Sequence, residues 1–439
     1  MASPTVSART TAQSTWSRAT PPHDALPIRQ LRQPAVSDKY FAIGAQVIAS
    51  LGRFAFVAIL IRFTPMAVMG GYFLLQSYEV VISLVLASAL TAPVSVVAPR
   101  KDEAAADRVI RHAILLQVIL VMMASVATFF IGRWFLADTI STLGLLSFCF
   151  ALPFSCLYQQ MRQIEQATFH GKRLACIEAL CTFSLFAITL TIGLFGQLDQ
   201  MTIWLGYAGA HAIPLALLLQ KHRPRLDFSM ILTDLKELIA LGRFMLAGSV
   251  ANSICQRSQP TMLQQLSGLV ATANFGTAMT MVGPVRMLQM AVTSTLPQRM
   301  ALKLEKRESA HRLFLAAFFG FGSVCTLAAT ILAVFPAPFA EIILGDPSKL
   351  CVTSLRLCAL FIVLSSMTAV CVCALHAVHR PGWVLLLRSI AMLVAVGLGV
   401  VLVPIHGASG ALAAMAVAEA LCLVTILPMT FYFLNRNSS

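Results

Sequence analysis

The sequence predicts an all-α polytopic membrane protein, with about twelve transmembrane helices in two parallel six-helix halves around a central cavity. Three observations lead there. Of 439 residues, 58% are hydrophobic and 11% charged, whereas soluble domains carry about 25% charged residues and cannot hide so much apolar surface. Membrane-length apolar runs follow one another with short polar stretches between them, and the basic residues gather in alternate stretches. Finally, short sequence features recur at equivalent points of the first and second sets of runs.

Taken in order, residues 1–40 are rich in Ser, Thr, Pro, Ala and Arg. With no apolar core before Phe41 they read as a disordered basic cytoplasmic tail rather than a secretory signal. The first span, 41–61, is an apolar run with Arg53 well inside it. Further spans follow at about 71–98, 109–131, 142–162, 174–195 and 202–220, completing an N-terminal half over 41–220. A polar linker, 221–237, leads to a C-terminal half over 238–432, with spans at about 239–263, 275–297, 313–335, 351–375, 383–404 and 409–432. Residues 433–439 form a short C-terminal tail.

Orientation comes from the loops. One set holds Arg100, Lys101, Arg108 and Arg111; Lys172 and Arg173; Lys221, Arg223, Arg225 and Lys236; Arg299, Lys303, Lys306, Arg307 and Arg312; and Arg380. The alternate set holds Arg62, Arg133, Lys349 and Arg356. The positive-inside rule therefore puts both termini in the cytoplasm. It also accounts for the net charge of +14 without a nucleic-acid partner. The 11 cysteines include no CxxC pair and sit mostly inside apolar runs, where cysteine behaves as a small hydrophobe. No metal centre, cofactor or disulfide framework is expected.

The two halves echo each other locally. Leu51-Gly52-Arg53-Phe54 recurs as Leu241-Gly242-Arg243-Phe244. The following turns lead into Gly71 and Gly276, and the next spans end in Thr91-Ala92-Pro93 and Thr295-Leu296-Pro297. An even number of spans per half makes the repeat parallel.

Inside the spans the ionisable residues read as Arg53, Glu79, Glu178, His211, Arg243, Arg257, Arg286 and Glu419. At 1.5 Å per residue, Arg53 lies roughly 18 Å from the cytoplasmic edge of the core and Glu79 roughly 12 Å from the outer edge. Sharing that level, they are candidates for a buried ion pair or for ion coupling. Arg286 and Glu419 come out near mid-depth, while Arg257 and Arg243 lie nearer the outer and inner edges. Four arginines against three glutamates leave the interior positive, which favours anions. Arg53, Arg286, Arg257 and Arg243 are therefore the candidate ligands of an anionic headgroup, with Glu79 and Glu419 as candidates for coupling or pairing. Pro93, Pro153, Pro214, Pro284 and Pro428 interrupt spans; Pro93, Pro284 and Pro297 are the hinge candidates.

This pattern resembles the polysaccharide-export branch of the multidrug/oligosaccharidyl-lipid/polysaccharide flippase superfamily. The resemblance rests on Gly52-Arg53-Phe54 in the first span and Met69-Gly70-Gly71-Tyr72-Phe73 leading into the second. It rests also on Gln256-Arg257 in the seventh, Ala273-Asn274-Phe275-Gly276 opening the eighth, and Gly407-Ala408-Ser409-Gly410-Ala411-Leu412 opening the last. It covers nearly everything after residue 40. What it implies is translocation of an undecaprenyl-pyrophosphate-linked oligosaccharide across a bacterial inner membrane, for exopolysaccharide, capsule or O-antigen synthesis. The implied partners are membrane lipids, the polysaccharide polymerase and the export machinery.

Two alternatives stand beside it. Cation-coupled multidrug exporters of the same superfamily commonly use acidic residues in the first span, and 41–61 has none. Peptidoglycan-precursor flippases usually carry about two more spans than this chain has room for. A membrane-embedded glycan polymerase or ligase needs a positioned acid or base, usually on a sizeable outward loop. The longest outward stretch, 335–350, offers Glu341 and Asp346. No catalytic residue is assigned, and no nucleotide-binding glycine loop is present in the sequence.

Overall fold

The structure, a computed structural model, describes residues 36–97, 103–167, 171–196, 198–221, 231–305, 310–344, 352–378 and 380–438. Every regular element among them is helical. In lipid a helix satisfies its own backbone hydrogen bonds, so apolar runs of this length adopt no other form. The order is α1 (Val36–Phe63), α2 (Met66–Leu86), a π-helical turn (Ala87–Thr91), α3 (Ala92–Val97), α4 (Glu103–Phe135), α5 (Thr142–Ala167), α6 (Gly171–Phe195) and α7 (Gln200–Lys221). It continues with α8 (Ile231–Met281), α9 (Gly283–Glu305), α10 (Ala310–Val334), α11 (Pro336–Leu344), α12 (Val352–Ala377) and α13 (Pro381–Ser438).

Two of these helices are each folded in two. Gly268 (φ 82°) breaks α8 and Gly407 (φ 55°) breaks α13. Both sit in the left-handed region that only glycine enters without strain. The second arm of α8 continues past Val282 into α9. Among the described residues these breaks leave twelve long helical stretches, counting the second arm of α8 together with α9, and the protein is a multi-pass membrane protein. Among the described residues nine helical stretches are long and apolar enough to span a membrane, the last of them folded at Gly407.

The helices outrun the apolar runs. α1 begins at Val36 rather than 41, α8 at Ile231 inside the expected polar linker, and α13 continues to Ser438. Backbone hydrogen bonding carries a helix past the point where its side chains turn polar. Residues 1–35 and 222–230, the greater part of the expected tail and linker, lie outside the described residues. The sequence read 335–350 as a loop, yet α11 forms there. Ala340 is fully buried, and Phe339 reaches two of the hydrophobic cores.

Most of the packing joins helices that are not consecutive in the chain. α1 lies on α6, α5 on α4 and α7, and α6 on α7, around a core that begins at Phe56 and also takes in Leu238, Ala273 and Met281 of α8, Ala340 of α11 and Leu355 of α12. α12 lies on α9, α10 and α13, and α13 on α8, around two further cores. The main contact joining these groups is α2 on α8. Its closeness depends on two glycines. A Cβ on Gly70 would fall 1.9 Å from the Leu269 carbonyl oxygen, and one on Gly276 would fall 2.2 Å from the Phe73 ring.

Candidate functional site

α2, α8, α9, α12 and α13 surround a cavity of about 450 Å³. Phe73 and Gln76 come from α2, Arg257 from α8, Arg286 and Gln289 from α9, and Ser365 from α12, while α13 contributes both Arg388 and Glu419. The volume lies within the range usual for small-ligand sites. Its walls mix aromatic rings with hydroxyl, amide and guanidinium groups. Three arginines line it against one glutamate, which leaves two positive charges in excess.

The charges are not equivalent. Arg388 and Glu419 form an ion pair through Nη1 and Oε1, joining the two arms of α13 across the Gly407 break. Among the described residues nothing hydrogen-bonds or ion-pairs with Arg257 or Arg286. Arg257 lies close enough to Arg286, Glu79 and Arg53 to feel all three charges. Arg286 feels Glu419 and the Cys358 thiol.

Arg53 is on α1, outside this cavity lining. Its side chain is exposed, yet Tyr207, Glu178, Glu79 and Tyr158 surround it. It therefore faces an opening within the helix bundle, where a guanidinium is far cheaper to hold than against lipid. The structure does not bring Arg53 and Glu79 within ion-pair distance. Glu79 is buried and accepts a hydrogen bond from the Tyr207 hydroxyl at 3.2 Å. Tyr207 is fixed in turn by Phe56 and Trp204, with ring centroids 6.0 and 5.4 Å away. Its carbonyl accepts from His211 Nδ1 at 2.8 Å, so His211 is a hydrogen-bonded core residue.

Arg243 lies on α8, and its side chain falls outside the described residues. Pro93 stands two residues beyond the π-helical turn, whose wider hydrogen-bond step absorbs the donor that proline lacks. Pro284 stands at the junction of α8 and α9, and Pro297 lies inside α9. Among the described residues there is no cluster of metal-ligand type.

Among the charged groups inside the bundle that the sequence reading did not flag are Arg388, Arg162 and the fully buried Glu165, which pairs with Arg173. Arg388 sits just inside the 383–404 run and could have been flagged like the other arginines. Arg162 ends the 142–162 run and is paired with Glu178 and hydrogen-bonded to Gln46 Oε1. That pair, on α5 and α6 with Gln46 on α1, occupies Glu178 structurally.

No protein-family model matches the chain, and no curated protein matches it in sequence. Solved structures do match in fold. A lipid II flippase, MurJ, in an inward closed conformation superposes with a TM-score of 0.71 at 10% identity, covering 92% of this chain and 90% of that one. An inward-facing multidrug-resistance MATE transporter superposes at 0.66 with 13% identity, covering 90% and 98%. A MOP-superfamily transporter from Pyrococcus furiosus gives 0.60 at 12% identity, covering 92% and 97%. The chain is thus built on the fold that MurJ and the MATE transporters of the MOP superfamily have in common.

Proposed function

We propose that this chain is a flippase that carries an undecaprenyl-pyrophosphate-linked oligosaccharide across the bacterial inner membrane by alternating access. The observation that carries the reading is the sign of the cavity: Arg257, Arg286 and Arg388 against Glu419 alone. A diphosphate diester brings two negative charges, matching the excess. Guanidinium forks suit phosphate oxygens. An anion without such partners is costly at mid-membrane, so neutralising it is the main task of a carrier. A lipid II flippase with this fold supports a lipid substrate here.

In this reading both termini are cytoplasmic and two six-helix halves rock about the cavity, with Pro93, Pro284 and Pro297 as the bending points. Arg286 and Arg257 grip the diphosphate, and Arg53, on the opposite half, meets it as the cavity changes sides. The polyprenyl chain stays in lipid, because drawing it through a wet cavity would expose its methylenes at about 0.8 kcal/mol each. Glu419 is engaged by Arg388, which leaves Glu79 as the carboxyl for any coupling ion. The polymerase and export machinery would receive the product.

The test uses purified protein in liposomes containing a fluorescent lipid-linked oligosaccharide, scored by accessibility to an outside quencher. Movement well above that of empty liposomes, lost in an Arg257→Ala/Arg286→Ala variant, is expected. Movement equal to empty liposomes, or undiminished in that variant, overturns the reading. Export of a cationic drug by the same vesicles would replace it with a drug exporter.

A further inference from the structure

The ion pair between Arg388 and Glu419 stands in the wall of the anion cavity, beside a small apolar layer of Ala391, Ala395, Ala418 and Cys422. Both residues line the cavity, and both side chains are partly open to it, 25% and 12% exposed. A carboxylate placed there beside Arg257 and Arg286 would repel any anion those arginines attract. Arg388 comes from the other arm of α13 and covers it with a guanidinium.

We propose that Arg388 is a positioning residue that sets the charge of the cavity by masking Glu419, so that the site accepts a doubly charged anion and holds it no more tightly than release requires. This rests on the anion-carrier reading above. Two consequences separate it from a purely structural pair. Removing Arg388 bares a carboxylate inside the anion site. Removing Glu419 instead takes the one negative charge out of the cavity lining, so binding should tighten. A merely structural pair predicts loss in both cases, because either change leaves one buried partner without its counter-ion.

The other charged groups of the cavity wall do not confuse the result. They are Arg257 on α8 and Arg286 on α9; the walls from α2 and α12 contribute neutral groups. The thiols nearby, Cys358 behind Arg286 and Cys422 beside Ala418, are buried.

The experiment is calorimetric titration of the detergent-solubilised full chain with symmetrical dimethyl diphosphate, which keeps two charges throughout the neutral range. Arg388→Ala is expected to weaken binding at least tenfold, and Glu419→Gln in that background to restore most of it. Glu419→Gln alone is expected to bind about fivefold tighter than the wild type. Should Arg388→Ala not fold, the single Glu419→Gln variant decides alone. Weaker or unchanged binding by Glu419→Gln overturns the charge-setting role while leaving the anion site standing. Wild-type protein that does not bind the diphosphate overturns the anion-carrier reading, and this inference with it.

Discussion

Gly70 of α2 and Leu269 of α8 approach so closely that a single added carbon on Gly70 would sit 1.9 Å from the Leu269 carbonyl oxygen. Backbone cannot yield as a flexible side chain can. A second close point, Phe73 against Gly276, lies farther along the same two helices. α2 and α8 therefore meet along a seam of small residues, the device by which membrane helices approach closely. The seam also carries the main contact between the first and last groups of passes.

Gly70→Ala should hence push α2 off α8, and transport should fall at least tenfold. Gly320→Ala is the control, because nothing lies within 4 Å of its added carbon. There the substitution should be neutral, or stabilising by up to about 1 kcal/mol from helix propensity. The liposome assay, with thermal unfolding in detergent alongside, reads both. Wild-type transport in Gly70→Ala would show that the seam can open at little cost.

The pair of Arg162 and Glu178 gives a stability prediction. Its side chains are 11% and 4% exposed, so solvent screens it little. Removing one partner strands a buried charge, at about 3–5 kcal/mol, whereas replacing both with apolar groups of similar volume is often tolerated. Arg162→Met and Glu178→Leu should each lower the unfolding midpoint or abolish accumulation, and the double variant should recover most of the loss. A double variant as unstable as the worse single one would mean that Gln46, not charge pairing, is what the site depends on.

The spans and their breaks were legible in the sequence because they follow from local composition. The 41–61 run lies wholly inside α1, and the gaps after 263 and 404 hold the glycines that fold α8 and α13. What was not legible depends on neighbours in space. Arg388 meets Glu419 only because Gly407 folds α13 back on itself, and Arg162 of α5 meets Glu178 of the following helix, α6. The sequence marked Gly70 as part of a motif, but nothing in it named Leu269 as the group it touches. Depth alone placed Arg53 level with Glu79 without showing that the Tyr207 hydroxyl would take the carboxylate.

Orientation provides the third prediction. Arg312 on α10 follows a basic stretch of sequence and is exposed, whereas Glu341 on α11 is exposed and belongs to the alternate set of stretches between the apolar runs. On a background without native cysteines, a membrane-impermeant maleimide applied to whole cells should label Glu341→Cys and spare Arg312→Cys. The reverse pattern would invert the protein in the membrane, and would put the termini outside against the loop charges.

Arg53 supplies the last. Among the described residues it has no ion-pair or hydrogen-bond partner, and the nearby carboxylates are engaged: Glu79 by Tyr207, and Glu178 by Arg162. Truncating Arg53 strands no partner and opens space where the helices already leave an opening. Arg53→Ala should therefore accumulate and unfold like the wild type. If Arg53 meets the diphosphate during the crossing, the same variant should lose transport by at least tenfold, with binding of a soluble diphosphate to the Arg257 and Arg286 cavity changed little. Arg53→Lys keeps the charge but not the planar fork, and should fall between the two. A drop in accumulation for both variants would assign Arg53 to holding α1 in place. Full transport by Arg53→Ala would remove it from the substrate path and leave the crossing to the arginines of α8, α9 and α13.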